Sequence, residues 1–179
     1  MEIRLQLNAR FQPKHRFDLE DAIDEILQNN KLGEVTGGGT LLNKDGEIKY
    51  CDINIQLNTD DLKYVQWLVE MLNGFCIPKG SFLEYDNEKI HVGTLEGLAC
   101  YLNGKDLPAE VYQTCDINYV IEQMTLAMNE TGRMYSYWEG PIYTALYFYG
   151  SSFNEMKKKT ESFINTYPLC QKCRVVQIS

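Results

Sequence analysis

Tyr50-Cys51-Asp52-Ile53-Asn54-Ile55-Gln56-Leu57-Asn58-Thr59-Asp60-Asp61 runs from one periodicity into another. Cys51, Ile53, Ile55 and Leu57 alternate with Tyr50, Asp52, Asn54 and Gln56, which predicts a strand with one dry and one wet face. Thr59 then caps a helix, with Asp60 and Asp61 at its positive end and a stripe of Leu62, Val65, Leu68, Val69 and Leu72. Gly74 ends that helix. Pro78-Lys79-Gly80 leads to a further strand, Ser81 to Tyr85.

Upstream the signals are of the same kind. Ile3, Leu5, Leu7 and Phe11 share a parity and predict a first strand. Asp18 reads as the N-cap of a helix carrying Leu19, Ile23, Ile26 and Leu27, with Gly33 as its stop. A strand from about Glu34 to Leu42 reaches the turn Asn43-Lys44-Asp45-Gly46. The order is β-α-β-β-α-β.

Downstream, Lys89 to Val92 reads as a strand and Thr94 to Ala99 as a short helix ending near Gly104. Asp116 caps a helix with Ile117, Val120, Ile121, Met124 and Met128 inward, stopped by Gly132. Met134 to Glu139 and Ile142 to Tyr149 are strands around Gly140-Pro141. Ser151 or Ser152 caps a helix with Phe153, Met156, Thr160, Phe163 and Ile164 on its stripe, and Arg174 to Ile178 closes as a strand. The expected fold is therefore α+β, with two tandem ferredoxin-like βαββαβ halves and antiparallel sheets. The expected halves are 1–86 and 87–179, with a helical insertion near 94–114. Identity between the halves is slight, so the repeat is one of element order.

Composition narrows the function. The 179 residues carry 17 Lys and Arg against 25 Asp and Glu, a net charge of -8, with a pI near 4.8. A basic surface normally meets a phosphate backbone, so the charge argues for no nucleic-acid partner. No stretch has the length and apolarity of a spanning helix, and no export signal is seen, so a cytoplasmic chain with reduced thiols is expected and no membrane partner. An acidic surface steers association with basic proteins. The leading expectation is a non-catalytic, acidic protein-binding module of bacterial style, an immunity protein that neutralises a basic toxin domain. The alternatives are a small-molecule binder or enzyme using a cleft between the halves, and a structural subunit that dimerises through an open sheet face.

The candidate binding residues are aromatic. Tyr135 and Tyr137 share one strand face, and Tyr143, Tyr147 and Tyr149 share a face of the next. The opposite faces, Met134, Ser136 and Trp138, then Ile142, Leu146 and Phe148, make the better core. The tyrosines then form a platform pointing away from the helices, either for a partner or for packing between the halves. Asp52 or Glu139 could serve as a polar anchor beside them. RNA-recognition modules also place aromatics on an open sheet, but Ala145-Leu146-Tyr147-Phe148-Tyr149-Gly150 lacks their basic-Gly-aromatic signature.

The remaining motifs are weaker. Gly37-Gly38-Gly39 enters a hairpin rather than a helix, which reads as a bulge or a close approach and not as a phosphate cradle. Cys170-Gln171-Lys172-Cys173 is half a zinc site and precedes a strand, against both zinc and thioredoxin-like chemistry. His15 and His91 have no nucleophile placed beside them. Lys157-Lys158-Lys159 fans over a solvated helix face. No catalytic residue, cofactor or metal is expected.

Overall fold

Alternation of Ile3, Leu5 and Leu7 with Glu2, Arg4 and Gln6 fixes the central strand of the first unit. The computed structural model describes residues 1–179 and divides into two compact units, Met1–Thr94 and Leu95–Ser179. Each unit is α+β and ferredoxin-like, with an antiparallel sheet.

In the first unit the elements are β1 (Glu2–Leu7), α1 (Pro13–Asn29), β2 (Gly33–Leu42), β3 (Ile48–Leu57), α2 (Lys63–Asn73), β4 (Ser81–Tyr85) and β5 (Glu88–Val92). The sheet order is β2-β3-β1-β4-β5. Cross-strand partners Leu5 and Ile53, Ile3 and Ile55, and Leu5 and Leu83 put the apolar sets of three strands on one face. Ile23 and Leu27 of α1 and Val65, Leu68 and Leu72 of α2 are buried with them. At roughly 1.5–3 kcal/mol for each fully buried side chain, this shared face is the unit's main source of stability.

In the second unit the elements are β6 (Glu96–Asn103), α3 (Ala109–Thr114), α4 (Ile117–Met128), β7 (Gly132–Glu139), β8 (Tyr143–Gly150), α5 (Phe153–Thr166) and β9 (Arg174–Gln177). The order β7-β8-β6-β9 repeats β2-β3-β1-β4. Leu98, Cys100 and Leu102 of β6 join Leu146 and Phe148 of β8, and Val120, Met124, Met128 and Met156 of the helices, in one buried cluster. Asp116 and Ser152 cap α4 and α5 through side-chain oxygens that accept from Asn118 and Glu155.

Several local expectations are corrected. Lys89 to Val92 is not the first strand of the second unit. It lies in β5, a hairpin partner of β4, because Asp86 and Asn87 at φ 45° and 67° make the two-residue turn that matches strand twist. The expected boundary at 86/87 falls inside that turn. The expected helix at Thr94 to Ala99 is instead the start of β6, a strand paired on both sides and buried on both faces, so it shows no period of two. Of the expected insertion, only α3 is helical.

Pro13, not Asp18, opens α1: its missing N–H costs nothing at a helix start. Lys31, at φ 57°, turns the chain out of that helix, and Gly33 lies in β2. Thr59 does not cap α2, which begins at Lys63; its hydroxyl accepts from the Asp61 amide in the preceding turn.

Candidate binding face

The face of the first sheet opposite the helices is built in transverse rows. Gly39, Asp52, Gln6, Phe82 and His91 are register partners across β2, β3, β1, β4 and β5. The next row is Gly37, Asn54, Arg4, Glu84 and Lys89. Neighbouring strands lie about 4.8 Å apart, so each row is a strip of closely spaced side chains.

Arg4 organises the centre. Its Nε and one terminal nitrogen donate to Asp52 at 3.0 and 3.1 Å, its other terminal nitrogen donates to Glu84 at 3.3 Å, and Gln6 Oε1 accepts at 3.3 Å. The Asp52 carboxylate holds the Arg4 guanidinium above its ordinary pKa. The cation is thus committed within the face and locks the two carboxylates in place. At one end of the face is a groove of about 500 Å³, with Arg4, Asn54, Glu84 and Thr36 among its walls.

At the β4–β5 end, the Phe82 and His91 rings meet edge to face at 6.3 Å, and Lys89 Nζ sits 4.3 Å from the Phe82 centroid. The opposite end is bare. A side chain at Gly37 or Gly39 would meet nothing within 4 Å. Gly37 has φ 142°, which disfavours other residues, but Gly39 has no such constraint. Gly38 points the other way. A methyl there would overlap the Glu20 carboxylate and the Asp52 carbonyl, with Arg16 Nε 3.1 Å away. Arg16 is buried, donates to Glu20 at 2.7 Å and to Thr40 Oγ1 at 2.7 Å, and uses the space that Gly38 leaves. The Gly-Gly-Gly run therefore combines a bulge at Thr36 with a close approach on the helix face. The close approach is by the Asp52 backbone carbonyl and by the Glu20–Arg16 ion pair together.

The tyrosines of the second unit are dispersed. Tyr143, Tyr147 and Tyr149 share the β8 face opposite the helices, but Tyr147 and Tyr149 are 0% and 2% exposed. The expectation that Tyr135 and Tyr137 share that platform is corrected by a bulge between Met134 and Ser136. After it, Ser136 and Trp138 pair with Tyr147 and Ala145, while Tyr137 pairs with Leu146 on the helix face and is 44% exposed. Tyr135, in the bulge, meets Tyr149 edge to face at 5.7 Å. Glu139 is exposed at the end of β7, away from Asp52 in sequence and in a different unit.

Other singled-out residues have structural surroundings. His15 Nδ1 is buried without a hydrogen-bond partner, and desolvation lowers the ring's pKa. Lys157, Lys158 and Lys159 are exposed on α5. Sequence reasoning missed Arg4, Gln6, Glu84 and Phe82. They occupy the wet parities of β1 and β4, and only the register between strands brings them together.

No protein-family model matches the chain, and no curated protein matches it. Among solved structures, one match is the crystal structure of the first two RRM domains of yeast poly(U) binding protein, with 11% identity, coverage of 99% of each chain and a TM-score of 0.26. At that identity and TM-score the likeness assigns no ligand to this chain. Two expectations are corrected. The immunity-protein reading is unsupported. The exclusion of nucleic acid is withdrawn. The physical error lay in using net charge, a sum over the whole chain, against base contacts made on one local face.

Proposed function

We propose that the chain is a binding module for single-stranded nucleic acid, with the bases held on the first unit's sheet face opposite its helices. The observation that carries this reading is the paired rows of that face. Bare backbone at Gly37 and Gly39 lies at one end, amides and fixed carboxylates from Asn54, Gln6, Asp52 and Glu84 in the middle, and the Phe82 and His91 rings at the other.

Splayed bases are recognised by stacking on rings and by hydrogen bonds to their edges. Amides offer donors and acceptors, carboxylates accept from base amino groups, and a strip without side chains admits a flat ring to the backbone. Arg4 is spent on Asp52 and Glu84, and the other cation of the row, Lys89, also lies 3.4 Å from Glu84, so neither is free for more than a weak phosphate contact. Affinity on this face then comes from stacking and edge contacts. For about one phosphate neutralised, the slope of log K against log salt is roughly -0.7.

The test is fluorescence anisotropy with labelled oligoribonucleotides of single composition, repeated at low and physiological salt. Phe82→Ala should weaken binding on the order of tenfold, since a stacked base contributes about 1–3 kcal/mol. Absence of binding for every composition at millimolar protein overturns the proposal. So does a steep salt slope abolished by changing Lys157, Lys158 and Lys159 while Phe82→Ala is silent.

A further inference from the structure

The second unit holds a cluster of thiols beside a cavity. Cys170 closes a 3-10 turn at Pro168–Cys170, and the Cys173 amide donates to the Cys170 carbonyl at 3.1 Å across Gln171 and Lys172. Lys172 takes φ 59° to complete that turn. Cys173 then enters β9, whose Val175 is the register partner of Cys100 on β6. Cys173 and Cys100 are thus diagonal neighbours on the face toward the helices.

The two sulfurs differ in access. Cys100 is fully buried, whereas Cys173 is partly exposed. Cys173 lines a cavity of about 330 Å³, whose charged walls are Lys157, Lys172 and Glu161. Lys172 Nζ also donates to the Asp106 carbonyl at 2.8 Å, which holds it at the rim. Two ammonium groups against one carboxylate favour an anionic small molecule.

We propose that Cys173 is a modification site for an anionic low-molecular-weight disulfide of the glutathione type, and that Cys100 resolves the adduct into an internal disulfide. In the first step the Cys173 thiolate attacks one sulfur of the reagent, a mixed disulfide forms, and one small thiolate leaves. In the second step Cys100 attacks Cys173 Sγ: the Cys100–Cys173 bond forms, the Cys173–small-thiol bond breaks, and the departing small thiolate takes the Cys100 proton. The protein dithiol is oxidised by two electrons and the reagent is reduced to two thiols.

The electrostatics agree with this order. Interaction with the neighbouring Cys100 thiol lowers the Cys173 pKa, while interaction with Cys173 and then burial hold Cys100 well above its ordinary value. Once Cys173 is capped it no longer carries the charge that raises Cys100. Cys170 is a poorer nucleophile, pushed up to about 12 by burial and by neighbouring Cys173 and Cys115.

The experiment is incubation of the reduced full chain with oxidised glutathione, read by intact mass and peptide mapping. Exposed Cys76 serves as an internal comparison. The expected product has lost two hydrogens and maps as Cys100–Cys173. In Cys100→Ala the reaction stops at one glutathione moiety on Cys173. In Cys173→Ser both products fall on the order of tenfold or more, as expected when the reactive thiolate is removed. Adducts on Cys76 alone, or a Cys170–Cys173 bond in place of Cys100–Cys173, overturn the proposal. Circular dichroism of each variant shows that it is folded. If Cys100→Ala unfolds, the wild-type peptide map still decides between these outcomes.

Discussion

Replacing Gly38 by alanine should destabilise the first unit severely, while the same change one residue later should not. At Gly38 the new methyl overlaps the Glu20 carboxylate and the Asp52 carbonyl. The carbonyl belongs to β3, the register neighbour of β2, so it cannot yield without disturbing the ladder. The carboxylate must swing away from Arg16, whose side chain is 8% exposed. Separating a buried pair and stranding one charge costs about 3–5 kcal/mol. Over a unit of this size that corresponds to a fall in Tm of roughly 12 °C or more. At Gly39 the methyl meets nothing within 4 Å, and exchanging glycine for alanine in extended backbone is worth about 0.5–1 kcal/mol in favour of the fold. Each unit carries one tryptophan, Trp67 and Trp138. In a Trp138→Phe background, urea unfolding followed by Trp67 fluorescence therefore reports the first unit alone. A Gly38→Ala midpoint equal to the parent's, or Gly39→Ala as damaging as Gly38→Ala, refutes the reasoning.

Gly39→Ala also separates folding from binding: it should preserve stability and weaken oligoribonucleotide affinity in the anisotropy assay, because it puts a side chain on the bare strip. His15 carries a pH dependence. Its ring has a pKa below 6.5 in the fold, chiefly through desolvation and then Lys14, with Asp18 opposing. The unfolded chain then binds the proton more readily, so the urea midpoint should fall as pH drops through 6.5 and the fall should be smaller in His15→Asn. Asp116→Ala removes the side-chain acceptor at the start of α4 and should cost about 1 kcal/mol in equilibrium unfolding of the second unit, with Asp116→Asn nearly silent.

Element order was legible in the sequence because most strands have one wet face. Ile53, Ile55 and Leu57 announce β3 as clearly as Leu68 and Leu72 announce α2. β6 was not legible: Leu98 to Leu102 are buried on both faces, and a strand of that kind has no alternation to read. The bulge at Tyr135 hid in the same way. One extra residue exchanged the faces of Ser136 and Tyr137, and nothing in Met134 to Glu139 marks it. The candidate face was half legible. The wet positions of β1 and β3 were visible, but joining Arg4 to both Asp52 and Glu84 requires the registers of two ladders.

The bulge at Thr36 bears on assembly as well. β2 is the outer strand of its sheet, ten residues long, and glycine-rich strands slip easily into foreign pairings. A regular edge of that length would template the addition of another chain. The register break between Val35 and Gly37 interrupts the row of amides and carbonyls that an incoming strand would need. The irregularity that shapes one end of the candidate face thus also limits runaway strand addition at an edge with few side chains to guard it.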